Sequence, residues 1–299
     1  MTLLHVLSSL RYELGIRIHV GHVNHGLRKS AGQDRIFVER LADKLEIPVT
    51  SAEPIIKKSS GKSSIEELAR EQRHRFLADL AKQNKAEVVA LGHTQDDLAE
   101  TVLMRILRGA GLQGIRGILF QRELNGVRFI RPLLEIKRTE VKNYLRKNHF
   151  KYRLDPTNRN TKFFRNRIRS QLLPYLEKNF NSNIKKVLAN LAFIRSADYD
   201  YLTSLGYARL NKLKKRLSRN TVKFDLKKFS GIHKGMQRLL LRLAIEELQG
   251  NTNRLEFNHI RLIERLIQHK GKERRTIHLP LNLSCSKAEN HLILSIRKT

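Results

Sequence analysis

The stretch GHTQDDLAETVLMRILRGAG, residues 92–111, gathers His93, Asp96, Asp97 and Glu100 in a chain whose formal net charge is +31. Asp97 and Glu100 are three positions apart, so on a helix they share one face. Carboxylates placed so at the end of a strand can hold Mg²⁺ or receive a substrate amine. A structural role also suits Asp97. With Thr94 as N-cap, Asp97 is the third helical residue, and Thr94-x-x-Asp97 reads as a capping box. Asp96 would then favour the helix dipole. Neither role accounts for His93 and Glu100 beside them.

Three further groups carry chemistry. Arg70 and Arg73, in SIEELAREQRHRF, lie on adjacent turns and can clamp phosphate or carboxylate, although arginines so spaced also make an ordinary solvated helix face. HVNHGLR brings Asn24, His25 and Arg28 into one loop. DPTNRNTKFFRNRIRSQLLPYL crowds Arg159, Lys162, Arg165, Arg167 and Arg169 among Asn158, Asn160 and Asn166, a composition suited to a phosphate backbone. His19, His22 and His25 recur every third residue, which fits no strand face, and no cysteine assists them as a zinc site.

The elements that must position these groups follow from periodicity. Residues 1–14 read as a helix, with Leu3, Leu4, Leu7 and Leu10 at helical spacing. IRIHVGHVNHG reads as a strand, QDRIFVERLADKLEI as a helix and PVTSAEP as a short strand. Ser64-x-x-Glu67 signals the start of the next helix, and AEVVALGH is a buried strand. DDLAETVLMRILRGAG is a helix and VRFIRPLL a further strand. Strands alternating with helices of this length specify parallel βαβ units, hence an α/β fold with a doubly wound parallel sheet. Ligands in such sheets lie beyond the carboxyl ends of the strands, which puts HVNHGLR and GHTQDD on one rim. After Pro174 the pattern changes to basic helices from Asn183 to Gly250, then short strands after Gly271. The expected domains are 1–180 and 181–299, the second basic and mainly helical with short C-terminal strands.

Bulk properties narrow the function. Lysine and arginine total 59 against 28 acids, and the isoelectric point is near 10.7. A field of that size calls for an anionic partner, foremost nucleic acid. The absence of tryptophan and an aromatic content of 6% argue against a broad base-stacking platform. A mean hydropathy of -0.45 with no long apolar run excludes a membrane span. The residues after Met1 do not read as a secretion signal. The single cysteine, Cys285, excludes an intramolecular disulfide, so the expected compartment is the cytoplasm.

HVNHGLR, SIEELAREQR, GHTQDDLAETVLMRILRGAGLQGIRG, RPLL, DPTNRNTKFFRNRIR and LLP occur in an order that resembles the tRNA(Ile)-lysidine synthetases. The resemblance is close over residues 1–176 and looser beyond. It implies an ATP-dependent ligase of the PP-loop ATP pyrophosphatase class. Such enzymes adenylate C2 of the wobble cytidine in a CAU-anticodon tRNA(Ile). The amine of free L-lysine then displaces AMP to form lysidine, which switches decoding from AUG to AUA. ATP and Mg²⁺ are the implied cofactors, and a homodimer is compatible with the family. By motif position His93, Asp97, Glu100 and Arg73 resemble the catalytic group, with Asp97 as the Mg²⁺ ligand. Asn24, His25, Arg28, Arg70 and Asp96 resemble the substrate and nucleotide rim, and Arg165, Arg167 and Arg169 the tRNA contacts.

In one respect the sequence departs from the family. The nucleotide loop Ser-Gly-Gly-x-Asp-Ser and the strand before it do not occur, and MTLLHVL matches the residues that follow that loop. Glycine-rich amides at a helix N-terminus cradle phosphate, and loss of a central strand leaves two edges unpaired. The expectation is an in-frame upstream start, and weak ATP binding by the 299 residues alone. The rival is a non-catalytic tRNA-binding relative. A tRNA-thiolating PP-loop enzyme is disfavoured by the single cysteine.

Overall fold

The computed structural model describes residues 1–24, 31–53, 65–153, 160–161, 163–252, 254–269, 271 and 273–296. They form two compact units, Met1–Ser196 and Ala197–Thr299.

In the first unit α1 (Thr2–Leu10) packs on α6 (Arg138–Lys147). Thr2 Oγ1 donates to the Val141 carbonyl at 3.3 Å, and the His5 ring stacks on Phe150 at 3.7 Å. β1 (Val20–Val23) and β2 (Val49–Ala52) pair in parallel through α2 (Ala31–Lys44). α3 (Ile65–Gln83) then leads to β3 (Val88–Ala90), which pairs in parallel with β5 (Val127–Ile130). Gly21 of β1 permits close passage of α3, because a Cβ there would lie 2.6 Å from Leu77 Cδ2. β4 (Gln121–Leu124) joins β5 by a hairpin through Asn125 and Gly126. Asn-Gly is the pair that such a turn favours. Along β5 the period-2 pattern buries Val127 and Phe129 and exposes Arg128. The described strands of this unit therefore make two ladders, β1–β2 and β3–β5–β4.

α4 (Gln95–Leu107) leaves the end of β3 and is followed by α5 (Leu112–Ile115). α7 (Phe164–Arg167) continues through a π-helical turn, Ile168–Leu172, into α8 (Leu173–Asn179). Leu98, Ala99 and Val102 of α4 share a buried core with Ile168, Leu173, Leu188, Ala189 and Ala192. The last three belong to α9 (Ile184–Leu213). This shared core holds the start of α9 within the first unit, which runs to Ser196.

The second unit contains more sheet than its composition suggests. β6 (Lys214–Ser218), β7 (Thr221–Asp225), β8 (Arg275–His278), β9 (Leu283–Ala288) and β10 (His291–Ile296) form an antiparallel sheet in the order β6-β7-β10-β9-β8. α10 (Leu226–Ser230), α11 (Lys234–Gln249) and α12 (Phe257–Gln268) complete it. The β6–β7 hairpin falls inside the region expected to be helical. β6 is a charged edge strand with a disguised period, whereas Val222 and Phe224 of β7 alternate inward to the core. Among the described residues no helix is long and apolar enough to cross a membrane.

Candidate active site

β3 delivers the chain to Gly92, His93 and Thr94, where α4 begins. Thr94 takes the extended backbone of an N-cap, and both its N–H and its hydroxyl donate to Asp97 Oδ2, at 2.9 and 2.8 Å. The expected capping box is thus present, and it occupies only Oδ2. Asp97 Oδ1 accepts from Arg138 Nη2 at 2.8 Å, Arg165 Nη2 at 3.2 Å and Arg169 Nη2 at 3.4 Å.

Glu100 lies one turn further, with a side chain 1% exposed. Its Oε1 accepts from Arg169 Nε at 2.6 Å and Arg138 Nη1 at 3.1 Å. Its Oε2 accepts from Arg169 Nη2 at 2.8 Å and Arg165 Nε at 2.9 Å. A carboxylate so deeply buried requires paired, hydrogen-bonded counterions, and three guanidiniums supply them. Asp96 turns the other way. Its Oδ2 accepts the Arg138 backbone N–H at 2.7 Å, and its Oδ1 faces Lys185 Nζ at 3.4 Å.

The electrostatics follow from this arrangement. Burial works to raise the Asp97 carboxyl, but Arg138, the Thr94 amide and Arg165 outweigh it and hold it below the ordinary range. For Arg169 burial is likewise outweighed, by the hydrogen bonds and charge of Glu100, and its guanidinium is raised. His93 is pushed down to about 4 by burial and by Arg131, Arg70 and Arg165, against the opposing charge of Asp97. Its imidazole is neutral at pH 7, and among the described residues its buried Nδ1 has no hydrogen-bond partner.

The structure therefore joins groups that are distant in sequence. His93, Asp97 and Glu100 come together as expected from their spacing. Arg165 and Arg169, read from the sequence as tRNA contacts, are ion-paired with Asp97 and Glu100. The pairing has a simple cause, since Glu100 is buried and Arg138, Arg165 and Arg169 balance its charge. Arg167 is exposed, with its guanidinium 5.5 Å from the Phe164 ring centroid. Arg70 and Arg73 remain solvent-exposed, and both lie within the field of Arg165. Asn24 is buried at the end of β1 and donates to Glu53 Oε1 at 2.9 Å. His25, Arg28, Asn158, Arg159, Lys162 and the Ser64 cap fall outside the described residues. Arg138 and Lys185 were not singled out by sequence. The one signal for Arg138 is its place just after the RPLL motif, at the start of a helix.

The donor set does not suit Mg²⁺ on Asp97. Each oxygen of Asp97 and Glu100 already accepts from Thr94 or from guanidiniums, and three positive charges would repel a divalent cation. Among the described residues no group of three or more His, Cys, Asp or Glu is placed to hold a metal ion. The arrangement is suited to an anion approaching the arginines, or to an amine that competes with them for the carboxylates.

The PP-loop domain matches residues 1–176. The chain belongs to this ATP-binding family. It is also similar to curated proteins named tRNA(Ile)-lysidine synthase. The protein from Clostridioides difficile is 32% identical over 98% of this chain and 63% of its own length. That from Thermotoga maritima is 42% identical over 65% of this chain and 46% of its own length. The chain thus spans less than two thirds of the length of these relatives. Among solved structures, the U34-tRNA thiolase NcsA from Methanococcus maripaludis with its [4Fe-4S] cluster superposes with a TM-score of 0.51. It shares 18% identity over 64% of this chain and 67% of that one, a likeness of fold alone.

Proposed function

We propose that this PP-loop protein ligates lysine to the wobble cytidine of a CAU-anticodon tRNA(Ile), consuming ATP. The carbonyl oxygen at C2 of the cytidine attacks the α-phosphorus of ATP, and pyrophosphate leaves. The amine of free L-lysine then adds at C2, AMP leaves, and the amine gives up its proton. The resulting lysidine pairs as AUA where cytidine paired as AUG.

The observation that carries this reading is the Asp97–Glu100 pair, lined by Arg138, Arg165 and Arg169 beside the neutral His93. An ammonium group finds carboxylates there, and a neutral imidazole stands by to accept a proton. The guanidiniums balance those acids and face the negative charge of phosphate or of the lysine carboxylate. ATP would sit at the N-terminal end of α1 (Thr2–Leu10), because the amides of a helix N-terminus favour phosphate. That end adjoins the same rim, because a Cβ built on Gly92 would lie 4.0 Å from Leu3 Cβ. When bound, Mg²⁺ would travel with the phosphates and neutralise part of their charge.

Thiolation by a cysteine of this chain is unsupported. Cys285 is buried in the core of the second unit, and burial pushes its thiol up to about 12. The proposal is tested by incorporation of labelled lysine into tRNA(Ile) by the protein at its full encoded length. ATP-dependent incorporation into the CAU anticodon alone is expected. Binding of the tRNA with no incorporation would leave the non-catalytic relative as the correct reading.

A further inference from the structure

The carboxylate cluster accounts for only some of the arginines near the rim. Arg70 and Arg73 of α3, Arg122 of β4 and Arg131 just beyond β5 form another set. Among the described residues no carboxylate pairs with any of them.

The fold brings these four together. Arg122 lies opposite Phe129 across the β4–β5 ladder. The His74 ring meets Phe129 edge-on at 5.5 Å. Arg70 and His74 are four residues apart and share a face of α3. Arg131 is 3% exposed, its Nη1 donates to the Leu119 carbonyl at 2.8 Å, and its buried Nε has no partner among the described residues. The charges act on one another. Desolvation, then Arg73, Arg165 and Arg122, depress Arg70, and desolvation with Arg70 and Arg122 draws Arg131 down to about 10. Burial and then all four arginines push His74 to about 4, which makes it a neutral donor or acceptor among cations. Arg105 adds to this field, but its guanidinium is held by the Gly114 and Gly117 carbonyls at 2.6 and 2.7 Å.

We infer that Arg70, Arg73, Arg122 and Arg131 form a phosphate-binding wall that receives the RNA backbone beside the target nucleotide. Uncompensated like charges destabilise a fold, and an anion that completes the set removes that cost. Arginine forks suit phosphate oxygens, and the unpartnered Arg131 Nε offers an additional donor. The exposure of Arg70, Arg73 and Arg122 favours an extended polynucleotide over an enclosed small molecule. The inference rests on the proposed tRNA substrate and deepens it.

The test uses the full-length protein and a synthetic tRNA(Ile) anticodon stem-loop, with affinity measured across a salt series. Arg70→Gln with Arg122→Gln removes two charges at exposed positions. The log–log salt slope is expected to flatten by about 0.7 per lost phosphate contact, hence about 1.4 for the pair. Arg70→Lys with Arg122→Lys is expected to keep the slope, which separates loss of charge from loss of fold. Retention of ATP in equilibrium dialysis is measured on Arg122→Gln alone, at a position outside the nucleotide rim, and is expected to stay unchanged. An unchanged slope in the glutamine variant would overturn the wall while leaving the lysine-ligase reading intact. Loss of ATP retention with an unchanged RNA slope would reassign the phosphate to the nucleotide. Failure of the unaltered protein to bind the stem-loop would overturn the wall together with the reading beneath it.

Discussion

Two sets of arginines in the first unit differ in how their charge is met. Arg138, Arg165 and Arg169 surround Asp97 and Glu100, and each makes direct ion pairs. Arg70, Arg73, Arg122 and Arg131 are charge-coupled to other arginines and to histidines. The first set holds buried Glu100 and half-buried Asp97 in one geometry. The second has donors still to fill. Residue type therefore says little about role here, and the state of compensation says much more.

The largest effect expected from breaking the first set follows Glu100→Gln. It leaves three guanidiniums facing one carboxylate and puts an amide N–H donor where one of the oxygens that accept from them stood. The loss is expected to be about 3 kcal/mol, the low end for a broken buried pair, because the arginines remain partly hydrated. Urea denaturation measures it, and a loss below about 1 kcal/mol would show that the arginines do not depend on Glu100.

Next comes Asp97→Asn. Its side-chain oxygen can still accept from Thr94, so the fold should survive with a cost within about 0.5–2 kcal/mol, the range for a cap. Lysine incorporation should be lost. Turnover near that of the unaltered protein would reduce Asp97 to a capping residue.

The second set is sharpened by pH. His74 and His93 titrate near 4 when folded, against 6.5 when exposed. Below pH 6.5 the unfolded chain takes up protons that the folded chain refuses. Their contribution to stability is complete above 6.5 and is lost as pH falls from there through 4. Imidazole NMR titrations should give midpoints near 4 for both rings. A midpoint near 6.5 for His74 would mean that the four arginines do not press on it.

The smallest effect belongs to an ion pair with comparable bonds but little burial. Arg238 of the second unit binds Glu264 at 2.6 Å, with side chains 41% and 19% exposed, and sits over Phe257. Arg238→Ala should cost no more than about 1 kcal/mol in thermal unfolding. A cost equal to that of Glu100→Gln would remove burial as the distinction between these pairs.

Much of the fold was legible in sequence, because period and punctuation are local properties. Helical spacing marked α2, α3 and α4, short apolar runs marked β3 and β5, and Thr94-x-x-Asp97 foretold the cap that the hydrogen bonds display. The β6–β7 hairpin was missed because a charged edge strand shows no clear period. The site was legible as far as its own helix. His93, Asp97 and Glu100 lie within two turns, and their grouping needs no tertiary information. Their partners do need it. Arg138 arrives from α6, and Arg165 and Arg169 arrive from α7 and the π-helical turn after it. By composition those last two belonged to a basic stretch ready for phosphate. Burial of Glu100 in the packed first unit pairs them with carboxylates, since a buried charge takes the nearest counterions wherever they lie in the chain. Sequence alone determined which residues carry charge and which elements hold them. Only the tertiary structure decided which charges are already satisfied, because compensation depends on distances between segments that no local pattern encodes.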